Sequence, residues 1–163
     1  MASRLRKTGL AGALTAAGAL AVAIVGNWEG LRLYAYQDVI GVWTACYGET
    51  RGIKPGMKFT KEQCDVMFID RLAEFEGEMR ACLNRPDELP MKTYVSFLSL
   101  SYNIGSRAFC RSTAVNRLNA GNLEGACQAA TWFNRAGGRK VRGLVNRRAA
   151  EYKLCMEGVR EGR

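Results

Sequence analysis

The chain contains no histidine, and that one absence removes several kinds of chemistry. A serine or cysteine hydrolase built on an imidazole base cannot be assembled. Neither can a zinc peptidase or amidase, whose site needs His ligands. If the chain is an enzyme, carboxylates must carry its acid–base work. No C-x-x-C pair or other zinc spacing occurs among the cysteines, so no metal and no cofactor is expected. Internal repeats, low-complexity tails and linkers are missing as well. One run, residues 10–26, goes about 17 residues without a charge, at the lower limit for a bilayer span.

What is present fits one globular domain. A chain of 163 residues can build a real core but not two comfortable ones. With 48% hydrophobic and 24% charged residues the composition is globular rather than disordered. The net charge of +9 calls for an anionic partner: nucleic acid, an acidic membrane surface or the anionic bacterial wall. Six cysteines stand at Cys46, Cys64, Cys82, Cys110, Cys127 and Cys155. An even count suggests disulfides if the chain is exported and reduced core thiols if it is not, and many pairings are open.

The N-terminus favours export. Arg4, Arg6 and Lys7 precede the apolar run with no acid among them, which predicts a cytoplasmic N-terminus and an exported C-terminus. The run itself is mostly Ala and Gly, with Leu10, Leu14, Leu20, Val22, Ile24 and Val25. Little transfer free energy holds so weak a span in lipid. Three readings compete. Ala19-Leu20-Ala21 resembles a signal-peptide cleavage site, the run could be a permanent anchor, or it could enter the membrane and later leave. The last fits the weak hydrophobicity best.

After Asn27 the helical pattern stops. Tyr34, Tyr36, Val39, Ile40, Val42 and Trp43, with Gly30 and Gly41, read as short strands and turns. Thr60 and Gln63 form a capping box for a helix running to about Cys82. Pro86 and Pro90 bound a loop before a mostly apolar helix over 91–103, followed by shorter helices at 113–119 and 123–133. Gly137-Gly138 marks a turn before a final basic helix over 141–158. A small strand-rich lobe followed by a larger helical lobe is an α+β arrangement.

Glu29, Asp38 and Thr44 are the candidate catalytic residues. Inverting glycoside hydrolysis needs a protonated carboxyl to release the leaving oxygen. It also needs an ionised carboxylate to activate water on the opposite face, about 6.5–9.5 Å away. A helix continuing past the apolar run would end at Gly30 and leave Glu29 at the negative end of its dipole, which favours protonation. Trp28 and its apolar neighbours add desolvation in the same direction. Asp38 would serve as the base and the Thr44 hydroxyl would help hold the water. Spacing alone does not bring them together, because nine extended residues span roughly 30 Å. In isolation, two acids and a threonine in a polar loop are ordinary solvated groups.

The order of motifs adds what spacing cannot. Glu29, eight residues, Asp38, five residues, Thr44 resembles the Glu–Asp–Thr triad of the phage-type lysozymes, glycoside hydrolase family 24. The context E-G-L-R-L-Y-A-Y-Q-D-V-I-G-V-W-T-A-C-Y-G agrees. So do F-L-S-L-S-Y-N-I-G at 97–105, F-C-R-S-T at 109–113, G-A-C at 125–127 and W-F-N-R-A-G-G-R-K-V-R-G-L-V-N-R-R at 132–148. The similarity covers essentially the whole chain after residue 27. It implies a lysozyme-like fold with the cleft between the lobes, and a muramidase acting on bacterial peptidoglycan without cofactor or metal. Glu29 would be the acid, Asp38 the second carboxylate and Thr44 its polar partner, with Tyr102, Asn103 and Ser112 as substrate contacts. Disulfides Cys46–Cys64, Cys82–Cys110 and Cys127–Cys155 follow from the same resemblance, as does a monomer. Where many relatives have His, after the glycine matching Gly48, this chain has Glu49. Arg139 falls where members often carry a basic residue near the acid. Trp132 reads as a packing residue.

The N-terminus is similar to that of the signal-anchor-release endolysins of lambdoid phages. Residues 1–26 would be an uncleaved anchor helix, with 10–26 in the host inner membrane and the catalytic domain, 27–163, in the periplasm. Release would let residues 10–26 fold onto the body as its first helix and free the enzyme into the periplasm. A rival reading, a nucleic-acid binder, rests on the basic cluster Arg139, Lys140, Arg142, Arg147 and Arg148. No DNA-binding motif accompanies it, and an exported chain rarely meets DNA, so nucleic acid is not expected as a partner. An inactive lysozyme-like membrane protein is a second rival. A lytic transglycosylase, which needs no second carboxylate, is a third.

Overall fold

Thr15 converts an extended N-terminal stretch into helix α1, Ala16–Glu29. Its hydroxyl accepts from the Gly18 N–H at 3.1 Å, satisfying a donor the first turn leaves open. The helix ends at Gly30, whose φ of +73° suits a residue without Cβ. The structure, a computed structural model, describes residues 3–6, 13–38 and 40–162. The apolar run is therefore not one helix. Leu14 pairs with Arg6 in an isolated antiparallel bridge and α1 starts at Ala16, while residues 10–12 of the run lie outside the described residues. Among the described residues no helix is long and apolar enough to cross a membrane.

The small lobe is built on β1, Arg32–Gln37, and β2, Trp43–Cys46. They pair antiparallel, with Tyr36 opposite Thr44 and Gln37 opposite Trp43. Val39, expected in a strand, lies outside the described residues. Ile40, also expected there, is an exposed turn residue. Ala45, Cys46 and Cys64 form the lobe's own small core. The Cys46–Cys64 disulfide fastens it to α2, Lys61–Ala81, and the Tyr47 hydroxyl donates to Asp65 on the same helix at 2.8 Å. The α2 start carries the full capping box, Thr60 bonded to the Gln63 N–H and Gln63 back to the Thr60 N–H.

The helical lobe wraps α3, Met91–Ile104, whose residues 93–101 are all buried. A helix buried on every face needs neighbours all round, and α1, α2 and α7, Arg142–Glu161, supply them. Between α3 and α7 run α4, Ser106–Cys110, α5, Thr113–Asn119, and α6, Leu123–Ala130. A two-residue hairpin follows, β3, Arg135–Ala136, with β4, Arg139–Lys140. Disulfides Cys82–Cys110 and Cys127–Cys155 fasten α4 behind α2 and α6 against α7. Because α6 stops at Ala130, Trp132 leaves the packed surface and is 53% exposed, with Arg117 5.3 Å over its ring. The expectation that it packs inside is corrected accordingly. The arrangement is the α+β, lysozyme-like one expected.

Candidate active site

Glu29 is the last residue of α1, where the helix meets the small lobe. Its side chain is mostly covered but still reaches solvent. Oε1 accepts a hydrogen bond from Arg147 Nη1 at 2.8 Å, a charge-assisted contact of the stronger kind. Arg147 is buried on α7 and uses its whole fork. Nε donates to Glu151 Oε1 at 3.1 Å, and Nη2 donates to the Ser99 carbonyl at 3.3 Å and to Ser99 Oγ at 3.4 Å. Its guanidinium also stands 6.0 Å from the centre of the Trp28 ring.

Behind Arg147 the charges continue inward. Glu151 Oε1 accepts from Ser99 Oγ at 2.6 Å and from Arg148 Nη2 at 2.8 Å. Arg148 Nε lies 2.7 Å from Oε2. Burial pushes the Glu151 carboxyl up, against the opposing pull of Arg148, Ser99 and Arg147. Burial pushes the Arg148 guanidinium down, against Glu151. Tyr102 on α3 faces the same corner. Burial first, then the negative charge of Glu29, hold its phenol well above the usual tyrosine range. Its ring packs edge-on to Phe68 at 5.8 Å and against Phe75 at 4.8 Å.

Asp38 and Thr44 belong to the tip of the β1–β2 hairpin, and Val42 links them. The Asp38 N–H donates to the Val42 carbonyl at 3.0 Å, and Thr44 Oγ1 donates to the same carbonyl at 3.0 Å. In return Asp38 Oδ1 accepts the N–H groups of Val42 at 2.9 Å and Ile40 at 3.0 Å. An aspartate that bonds its own following backbone fixes a tight turn. Oδ2 takes neither of these bonds. Thr44 is buried at 4% exposure.

The structure thus places Glu29 at the end of a core helix and Asp38 and Thr44 together on the hairpin that begins three residues later. Tyr102 lies close enough to Glu29 to feel its charge. Asn103, next on α3, is half-buried. Ser112 is buried, and its Oγ accepts from the Val115 N–H at 3.2 Å as the cap of α5. Arg139 is exposed on β4. The cation bonded to Glu29 is Arg147 instead. Glu49 turns its Oε1 to the Thr50 and Arg51 N–H groups, both at 2.8 Å, and closes its own loop. Sequence reasoning missed Arg147, Glu151 and Ser99. The signal available was R-R-x-x-E at 147–151, which on a helix points both arginines at one glutamate.

Comparison with known proteins gives the family and the fold. The family model described as Phage lysozyme matches residues 26–151. The SAR-endolysin of Pseudomonas phage phiKMV is 40% identical over 145 residues, covering 85% of this chain and 89% of its own. The endolysin from Escherichia coli O157:H7 phage FAHEc1 superposes with a TM-score of 0.75 at 32% identity, covering 84% of this chain and 90% of that one. The P1 phage endolysin is related in fold alone, in two forms. Its active form gives a TM-score of 0.78 at 24% identity over 89% of this chain and 85% of that one. Its secreted inactive form gives 0.58 at 20% identity over 89% of this chain and 96% of that one. Of these two forms, the one described as active gives the higher TM-score.

Proposed function

The chain belongs to the phage lysozyme family, and from that premise we propose that it is an endolysin. Its reaction is hydrolysis of the β-1,4 bond between N-acetylmuramic acid and N-acetylglucosamine in bacterial peptidoglycan, leading to host lysis. The observation that carries the catalytic assignment is the grip of Arg147 on one oxygen of Glu29 at the end of α1. With Oε1 held, Oε2 is the oxygen that carries the proton to the glycosidic oxygen. Asp38, ionised, takes a proton from water through Oδ2, while its two backbone bonds keep Oδ1 fixed. Thr44 Oγ1 gives its hydrogen to Val42 and so offers lone pairs to that water. Tyr102 and Asn103 line the glycan path on α3.

The same reading extends to export. Residues 10–26 enter the host inner membrane uncleaved and hold the catalytic domain on the periplasmic side as a monomer, and release makes it soluble in the periplasm. Support comes from the double use of residues 16–26, which belong both to the apolar run and to α1. Ala17, Gly18, Ala21 and Val25 are the face of α1 buried against the body. Small residues give a weakly held span and a closely packed helix at once. While that segment is in lipid, α1 cannot bring Glu29 to Arg147, so the tethered enzyme is inactive.

The test is muramidase activity on purified peptidoglycan, comparing the released protein with Glu29→Gln and analysing the fragments by mass spectrometry. New reducing ends from the wild type and none from the variant support the reading. Anhydro-sugar ends mean a transglycosylase instead, and an active tethered form in spheroplasts overturns the release scheme.

A further inference from the structure

Four charges are linked pair by pair from half-buried Glu29 into the core: Glu29, Arg147, Glu151 and Arg148. They balance to zero, and the three on α7 are each at most 4% exposed. A buried ion pair repays its desolvation only with good geometry and further hydrogen bonds, and Glu151 meets this through one oxygen. Its Oε1 gathers Ser99 Oγ, Arg147 Nε and Arg148 Nη2, while Oε2 has the ion-pair contact with Arg148 Nε but, among the described residues, no hydrogen bond. Arg147 has a partner for every nitrogen of its fork. Arg148 does not: among the described residues its Nε and Nη1 are buried with no hydrogen-bond partner, and it feels the charge of Glu29. Arg148 is therefore a second buried cation with a spare donor, bonded to the same Glu151 oxygen as Arg147.

We propose that Glu151 is the positioning residue of the active site: it fixes the Arg147 fork on one oxygen of Glu29 and holds Arg148 away from the other. The inference rests on the assignment of Glu29 as the acid. Glu151 touches no substrate. Its effect passes through which arginine meets the acid and on which oxygen. Among the described residues Tyr102 on α3 also feels Glu29 and Arg147, with Arg71 of α2 and Glu49 of the small lobe acting on it. None of Tyr102, Arg71 and Glu49 is bonded to Arg147 or Arg148 among the described residues. With the Glu151 charge removed, the two neighbouring guanidiniums repel each other and compete for Glu29. The oxygen that must carry the proton then becomes an acceptor for Arg148.

The experiment compares full-length released wild type, Glu151→Gln and the double variant Glu151→Gln/Arg148→Gln. Each is checked for folding by thermal melting, then assayed for kcat and KM on peptidoglycan. Misplacing a catalytic group by about 1 Å costs on the order of 10²-fold in rate. Glu151→Gln is expected to lose kcat on that order with KM within about twofold of wild type. The double variant removes the unbalanced cation, and kcat is expected to recover about tenfold over the single variant. If the single variant does not fold, a folded double variant within about tenfold of the wild-type kcat carries the proposal. A folded double variant as inactive as the single, or one that is inactive when the single does not fold, overturns it, because a purely structural glutamate is not rescued by deleting its partner. A substrate-free readout separates this from the function itself. The Arg147 Nε–H proton resonance, sheltered by Glu151 in wild type, is expected to be lost to solvent exchange in Glu151→Gln. Its persistence overturns the proposal even if the protein proves to have no muramidase activity.

Discussion

The backbone N–H of Arg4 donates to the buried Glu76 carboxylate at 2.7 Å, joining residues 72 apart in sequence. Ser3 Oγ also bonds to Glu76, and the Tyr94 hydroxyl reaches it at 2.6 Å. The Arg4 guanidinium caps the carbonyls of Pro86 and Leu89 and lies 4.4 Å over the Tyr94 ring. Ser3 and Arg4 belong to the segment that, in the proposed tethered state, stays on the cytoplasmic side. Every contact they make with α2 and α3 thus belongs to the released enzyme, and Glu76 is their receptor.

Replacing Glu76 tests that receptor. Glu76→Gln keeps the shape but weakens bonds made to a charge, each worth about 1.5–3 kcal/mol. The released enzyme is expected to lose stability by about that amount in urea unfolding. A truncation lacking residues 1–6 should lose at least as much, and Glu76→Gln should then add little on top. Full additivity of the two changes would mean that the N-terminus does not dock on Glu76 in solution.

Asp38 has two jobs, and two substitutions separate them. Asp38→Asn keeps an oxygen for the Ile40 and Val42 N–H groups but cannot take a proton from water. It is expected to melt near the wild type while losing about 10²–10⁴-fold in kcat. Asp38→Ala loses the turn as well and should also cost about 0.5–2 kcal/mol, the range seen when a side-chain cap is deleted. An active Asp38→Asn enzyme would remove Asp38 from catalysis.

How far the sequence could go is clearest from three places. The capping box at Thr60 and Gln63 is a local signal, and α2 starts there. The start of α1 is obscured because apolar residues continue on both sides of Thr15, and only docking of the chain on Leu5 and Arg4 decides where the helix begins. The Arg147 contact is harder still. Five basic residues crowd 139–148 and look alike in one dimension, whereas folding buries Arg147 and Arg148 and leaves Arg139, Lys140 and Arg142 outside. Which cation meets Glu29 depends on the approach of α7 to the end of α1, a relation between residues 118 apart. The short α4 escaped because five residues are too few to show a helical period.

The disulfides differ in access, so they should open in order. Cys46, Cys64, Cys127 and Cys155 are at most 2% exposed, while Cys82 and Cys110 are only half-buried. Thiol–disulfide exchange requires a path for the attacking thiolate. Mild reductant followed by alkylation and mass mapping is expected to label Cys82 and Cys110 first. Losing that bond frees a sequence separation of 28 residues and should lower stability by about 3–4 kcal/mol. Earlier labelling of Cys127 or Cys155 would show that α6 opens from α7 before α4 leaves α2.

Gly18 tests whether release is driven by docking or only limited by weak hydrophobicity. A Cβ on Gly18 would stand 2.2 Å from the Leu5 carbonyl oxygen, a backbone atom that cannot step aside cheaply. Leu5 itself is buried at 2% exposure and bonded to Thr15 through that carbonyl. Gly18→Leu therefore makes the span more apolar and blocks the docked N-terminus together. Ala19 is exposed on the other face of α1, so Ala19→Leu adds apolar surface with nothing in its way. After depolarisation of expressing cells, both variants should leave the membrane fraction more slowly than wild type. Gly18→Leu should also yield a soluble enzyme that melts lower, while Ala19→Leu, once released, melts like wild type. Equal melting temperatures would show that the docked segment around Leu5 contributes nothing to the released fold and that apolarity alone sets the rate of release.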